Sequence, residues 1–268
     1  MAMVTVAASV LAVSVSPASA EREDSTSLTS SKRKPTVVLV HGAFADSSSW
    51  NGVVARLRRE GYPVVAAANP LRGLSSDSAY LKEVLAGIEG PVVLAGHSYG
   101  GSVISNASSG ARNVKALVYI AAFLPERGES AVELSGKFPG STLGEALRPV
   151  PVTLPNGTAG TDLYIEQGKF RNQFAADVAK GTADVMAVTQ RPVTSAALEE
   201  GASEPGWKTI PSWVLVTEQD RNIPPEAQRY MAERAGAHMV SVRASHAVSV
   251  SRPDEVARVI ESAARPVR

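Results

Sequence analysis

Gly96-His97-Ser98-Tyr99-Gly100 follows the apolar run Val92-Val93-Leu94-Ala95 and precedes an apolar repeat at Val103, Ile104 and Ala107. The pattern G-x-S-x-G between a buried strand and a helix is that of a nucleophile elbow, a sharp turn that lifts the serine hydroxyl above the edge of a sheet. Strand, turn and helix crowd together there, so small residues on either side of the serine are a steric requirement. The bare pattern also arises by chance in loops; the strand before it and the helical repeat after it set this one apart. Ser98 is the candidate nucleophile.

A serine hydroxyl is a poor nucleophile at neutral pH and needs a base within hydrogen-bond reach, itself oriented by a carboxylate. The chain has four histidines. His97 adjoins the serine on a turn that presents residue 98, and should point elsewhere. His41 ends a strand and reads as packing or hydrogen-bonding beneath a loop, and His238 begins a strand. His246 follows the last strand in a short loop and comes after the candidate acid, in the chain order serine, acid, histidine. The acid is assigned to Asp220, just past a strand ending near Thr217, with Glu218 as the near rival and Glu126 as the distant one. Asp220 also has the bland reading of a turn residue or helix cap. Backbone N–H groups must meet the oxygen that becomes negative. Tyr99 N–H at a helix start is one expected donor and Ala43 N–H the other, with Phe44 next to it; the Phe44 side chain is placed at the border of the acyl pocket.

The elements that position these residues alternate. Thr36 to Val40, Val64 to Ala68, Val92 to Ala95, Val114 to Phe123, Ser212 to Thr217 and His238 to Val242 read as strands. Between them, helical repeats follow Trp50 (with Ser47 to Ser49 as caps), run from Ser76 to Ile88, follow Ser98, open at Pro224 and close the chain after Pro253. This alternation specifies a mostly parallel sheet with helices on both faces, in which chemistry collects beyond the carboxyl ends of the strands. The alternation lapses over residues 125–207, which carry many Gly and Pro and weak helical patterns around Leu163 to Phe174 and Ala175 to Val188. That stretch reads as a cap or lid inserted between two parts of one core, 35–124 and 208–268. Tyr164, Phe170, Phe174, Met186 and Trp207 are candidate pocket-lining residues in the cap, with packing of the cap onto the sheet as the competing reading.

The 268 residues, 44% hydrophobic, suit one α/β domain with an insertion. A net charge of +1 with scattered basic residues gives no reason to expect a nucleic-acid partner. Cysteine is absent, which excludes disulfides and thiolate chemistry, and the histidines do not fall at paired metal-ligand spacing, so no metal and no cofactor is expected. Val4 to Val15 is an apolar run of signal-peptide length, followed by Ala18-Ser19-Ala20 as an A-x-A site, although no Lys or Arg precedes it. Residues 1–20 therefore read as a signal peptide cleaved after Ala20, which places the protein outside the cytoplasm, secreted or periplasmic. The run is too short to hold the chain in a bilayer, and residues 21–34 read as a flexible leader.

His41-Gly42-Ala43-Phe44, Gly96-His97-Ser98-Tyr99-Gly100-Gly101, Asp220-Arg221-Asn222-Ile223-Pro224 and Ser245-His246 together resemble the serine α/β-hydrolases, in the small-esterase branch that includes plant methylesterases and hydroxynitrile lyases. The resemblance covers Pro35 to the C-terminus. It implies an α/β-hydrolase fold, a Ser98, Asp220, His246 triad and oxyanion donors at Ala43 and Tyr99. Lyases of the branch carry Thr at the position of Gly42 and Lys at that of Ala247, and dehalogenases and epoxide hydrolases of similar fold carry Asp at that of Ser98; these departures argue against all three. The expected activity is cleavage of small, apolar carboxylic esters. A cofactor-free perhydrolase or haloperoxidase-like enzyme is the alternative, and a ligand-binding protein on the same fold is the alternative of another class.

Overall fold

A computed structural model describes residues 34–154 and 157–267. The signal peptide expected at 1–20 and the leader up to residue 33 lie outside the described residues. From the start, the elements are β1 (Thr36–Val40), α1 (Asn51–Arg59), β2 (Val64–Ala67), α2 (Leu74–Ala86), β3 (Val92–His97), α3 (Tyr99–Ser108) and β4 (Val114–Ile120). An inserted segment follows: α4 (Ala131–Gly136), α5 (Leu143–Ala146), β5 (Leu147–Thr153), β6 (Ala159–Ile165), α6 (Gln167–Phe174), α7 (Lys180–Thr189), β7 (Val193–Thr194) and α8 (Ser195–Glu199). The core resumes with β8 (Ser212–Thr217), α9 (Pro225–Arg234), β9 (His238–Val242), α10 (Val248–Ser251) and α11 (Pro253–Ala264).

The main sheet has the order β2-β1-β3-β4-β8-β9, and every neighbouring pair is parallel. Its central strands are continuous apolar runs because both faces are covered. The two-residue period sorts their side chains. Val38 and Val40 of β1 and Leu94 of β3 pack with Leu81, Val103 and Met231 from α2, α3 and α9. Val37, Leu39 and Val93 point the other way, onto Val53, Leu57 and Ile260 from α1 and α11. The chain runs outward from β1 to β2 and returns to β3 on the other side of β1. The crevice of such a sheet opens at this reversal, beyond the carboxyl ends of β1 and β3.

Helix α3 lies so close to the sheet that Gly101 has no space for a side chain: a Cβ there would sit 2.3 Å from Phe123 O and 2.8 Å from Ala122 Cβ. Glycine to alanine inside a helix ordinarily gains about 0.5–1 kcal/mol. Here the sign reverses, and Gly101→Ala is expected to lower the unfolding free energy by about 2 kcal/mol, the scale of overpacking a core, read as a lower urea midpoint with unchanged slope.

Several expected boundaries move. Ser47 to Ser49 do not cap α1 but form, with Trp50, a short 3-10 turn capped by Asp46, which accepts Ser48 N at 2.7 Å. The helix expected from Ser76 begins at Leu74 and ends at Ala86, and the strand expected to reach Phe123 ends at Ile120. The larger correction is in the insertion. The stretch from Leu163 to Ile165 belongs to a strand, not a helix, and β5, β6 and β7 form an antiparallel sheet of their own. Pro149 and Pro151 lie within β5, whose place at the edge of that sheet tolerates residues without an N–H. Residues 175–179 separate α6 from α7 where one helical pattern was expected from Ala175.

Candidate active site

Strand β3 hands directly over to α3 through Ser98, whose backbone has φ 54° and ψ −126°. A non-glycine residue in that region is strained and persists only where its surroundings hold it. They do so here: Ser98 N donates to Ile120 O at 3.3 Å, and Ser98 O accepts from Gly101 N at 2.9 Å and Phe123 N at 3.2 Å. A Cβ on Gly100 would lie 2.5 Å from Val40 O, and one on Gly42 would lie 2.6 Å from Ser98 Cβ. Bare glycines therefore let the loop after β1 close onto the serine.

Asp220 leaves β8 and is buried, as is His246. One carboxylate oxygen, Oδ2, accepts His246 Nδ1–H at 2.7 Å, Thr217 Oγ1 at 2.8 Å and Gln228 Nε2 at 3.0 Å; the other, Oδ1, accepts Asn222 N at 2.8 Å and Ile223 N at 3.0 Å. Burial alone would raise the Asp220 pKa, but the His246 ring and the two amides outweigh it and hold the carboxyl below the usual carboxylate value. The proton on Nδ1 leaves His246 Nε2 as a lone pair, buried and with no partner among the described residues. The rival acids are engaged at the surface, Glu218 with Arg229 and Glu126 with Lys208 at 2.6 Å. Asp220 also fills the turn role weighed for it, since the same carboxylate receives the amides of its own loop.

Phe44 N–H donates to Arg191 O at 3.1 Å, so it is spent. Ala43 N–H and Tyr99 N–H have no acceptor among the described residues and both residues line the cavity that reaches Ser98. The Tyr99 phenol is turned away, donating to buried Asp77 Oδ2 at 2.9 Å, and burial raises the pKa of both groups.

The other histidines have separate places. His41 donates from Nδ1 to Gly42 O and accepts Asn69 N at Nε2, both at 3.0 Å, tying the loops after β1 and β2 together. His238 stacks on Trp213 at the sheet edge, 4.9 Å between centroids. His97 is turned into the interior, where burial and the nearby His246 push its pKa down to about 3, and its neutral ring donates from Nε2 to His246 O at 2.9 Å. The sequence marked it only as pointing away; its hold on the His246 backbone went unread.

The insertion holds the same loop from the other side. The Phe174 ring stands edge-on to the His246 ring at 4.9 Å, Phe174 O accepts Ala247 N at 2.9 Å, and Ser245 Oγ bonds Asp177. No sequence pattern marked Asp177 or this use of Phe174. Of the cap residues weighed as pocket lining, Phe170 is buried, Trp207 donates to Pro125 O, Tyr164 stacks under Arg148, and Met186 borders a different cavity. The cavity at Ser98, about 350 Å³, is walled instead by Phe44, Phe123 and Ile223 from the core and by Leu143, Leu163 and Leu198 from the insertion. Phe44 is one of the side chains of this wall. Among the described residues no three His, Asp or Glu side chains converge as a metal requires, and no helix is long and apolar enough to cross a membrane.

Residues 37–259 match the model of the alpha/beta hydrolase family. The alpha/beta hydrolase nvfD of Aspergillus novofumigatus is 29% identical over 255 residues, covering 86% of this chain and 97% of its own. Methylesterase 1 of Arabidopsis thaliana is 24% identical over 235 residues, 78% of this chain and 87% of its own. The crystal structure of polyneuridine aldehyde esterase superposes with a TM-score of 0.74 at 19% identity, covering 85% of this chain and 98% of that one. With a parallel sheet of this order and a serine on this turn, the chain belongs to the alpha/beta hydrolase family.

Proposed function

We propose that the protein hydrolyses small, apolar carboxylic esters through an acyl-enzyme on Ser98. The observation that carries the reading is the strained serine at the end of β3 together with a buried Asp220–His246 pair whose Nε2 is left as a lone pair. His246 Nε2 takes the Ser98 proton as Oγ attacks the ester carbonyl, while Asp220 holds the ring by Nδ1–H and steadies the imidazolium. Ala43 N–H and Tyr99 N–H receive the developing oxyanion, each such donor being worth about a hundred- to a thousandfold in rate. The imidazolium returns its proton to the departing alkoxide. Water, activated by the same ring, then releases the acid. A cavity of about 350 Å³ with leucine and phenylalanine walls supports a small apolar acyl group. Ester hydrolysis by relatives such as the methylesterases supports the reaction class, and the signal-peptide pattern read at residues 1–20 supports export.

The test is a p-nitrophenyl alkylphosphonate. One p-nitrophenolate released per chain, with the phosphonyl group recovered on the peptide carrying Ser98, is the expected result. A chain that stays unlabelled, or is labelled on another residue, refutes the acyl-enzyme; turnover confined to peptides or long-chain lipids refutes the substrate class.

A further inference from the structure

The cavity that holds Ser98 is not apolar throughout. Ser135 of α4, Ser141 just before α5 and Asn222 from the loop after β8 also line it, and Asn222 is only 3% exposed. Three of the four polar groups of Asn222 are engaged within the protein. Its backbone N–H lies on Asp220 Oδ1 at 2.8 Å, its carbonyl accepts Ser135 Oγ at 3.0 Å and Ser141 Oγ at 2.9 Å, and its side-chain Oδ1 accepts Gln173 Nε2 at 2.8 Å.

Gln173 decides which way round the Asn222 amide lies. Gln173 Nε2 also donates to Arg221 O at 2.8 Å, while Gln173 Oε1 accepts Thr142 Oγ1 at 2.8 Å. A backbone carbonyl can only accept, so the end of Gln173 that faces Arg221 is its NH₂, and that NH₂ in turn requires an oxygen from Asn222. Asn222 Nδ2 is the end left over. It has no acceptor among the described residues, and it is not one of the polar atoms sealed away from all contact.

A buried NH₂ on a residue otherwise tied down, in the wall of the cavity that holds the nucleophile, is a donor presented to the substrate. No Lys, Arg, His, Asp or Glu lines this cavity, so a charged group would find no counterion there and the matching acceptor is neutral. We propose, on the acyl-enzyme reading above, that Asn222 is a specificity-determining residue whose Nδ2–H donates to a neutral oxygen on the otherwise apolar acyl chain. The preferred substrate is then an ester whose acyl chain carries a second oxygen acceptor. The plain hydrocarbon ester is disfavoured because it leaves the buried donor unpaired.

The test compares ethyl hexanoate with ethyl 3-oxo-, 4-oxo- and 5-oxohexanoate, each rate divided by that of alkaline hydrolysis to remove intrinsic reactivity. At one position the oxo group is expected to raise kcat/KM about tenfold or more over hexanoate, the scale of pairing one buried donor. Asn222→Leu should bring that ratio to about one. Asn222→Asp keeps an oxygen toward Gln173 but puts a second oxygen where Nδ2 stood, and should carry the ratio below one. Both variants keep the backbone bonds of residue 222 to Asp220, Ser135 and Ser141, and a ratio taken within one variant cancels any disturbance of the triad. If wild type is phosphonylated on Ser98 yet favours no oxo ester, or if Asn222→Leu or Asn222→Asp keeps the preference, Asn222 has no such role and the acyl-enzyme stands. If Ser98 takes no phosphonyl group, the acyl-enzyme reading falls and the role of Asn222 with it.

Discussion

Ser98→Ala is expected to lower kcat/KM for p-nitrophenyl butyrate by about a thousandfold or more, the usual scale for removing a triad nucleophile, while the urea midpoint stays that of wild type. The second half follows from the geometry as much as the first. The strain at Ser98 lies in the backbone, at φ 54°, and is held by bonds from Ser98 N and O to Ile120, Gly101 and Phe123. Alanine carries the same Cβ into the same conformation and breaks none of those bonds. Only Oγ is lost, so a large fall in rate with no change in stability isolates the chemistry from the fold. The residual rate reports the Ala43 and Tyr99 amides and the cavity walls, which the substitution leaves in place. Equal turnover by the two proteins would leave the elbow idle on this ester and move a peroxide-dependent or binding role to the front.

The parts of this molecule that were readable in the sequence are those in which local pattern and tertiary role coincide. β1 and β3 are apolar runs because the sheet covers both of their faces, and G-x-S-x-G is spaced as it is because α3 and the loop after β1 press on the serine from two sides. Such constraints act between near neighbours and leave a trace in their order. What holds His246 in place does not. His97 reaches its carbonyl across 149 positions, and Phe174 and Asp177 reach Ser245 across 71 and 68. Hydrogen bonds between distant segments impose no period on either segment, so neither histidine tautomers nor the grip of the insertion could be read ahead of the structure. The β5 strand was hidden for another reason: Pro149 and Pro151 are turn signals in sequence, and only its edge position makes them compatible with a ladder. Asp220 and Glu218 were separable only by burial, since both follow the same strand and only one turns inward.

The second large effect is expected at that inward carboxylate. Asp220→Asn should cost about 10⁴ in kcat/KM, because an amide cannot serve both of the sets of donors that converge there. The Asn222 and Ile223 amides are fixed backbone donors on Oδ1, and Thr217, Gln228 and His246 all approach Oδ2. If the asparagine oxygen stays with the two backbone amides, its NH₂ group faces His246, which must then turn Nδ1 into an acceptor and carry its proton on Nε2. A ring in that tautomer has no lone pair for the Ser98 proton. If the amide flips, the NH₂ group confronts the two backbone donors and the loop loses its anchor. Stability should fall as well, by about 1.5–3 kcal/mol for bonds to a buried charged group, and its pH dependence has a definite sign. The folded pKa of Asp220 is depressed, so the contribution is complete above the unfolded carboxyl value of about 3.9 and is lost as pH falls through the lower folded value. Urea unfolding of wild type and Asp220→Asn should therefore differ by a constant amount from neutral pH down to about 4, and the two should approach each other below it. A variant that keeps more than a tenth of the wild-type rate would reduce Asp220 to the turn residue it also is, and pass the orientation of His246 to His97 and Phe174.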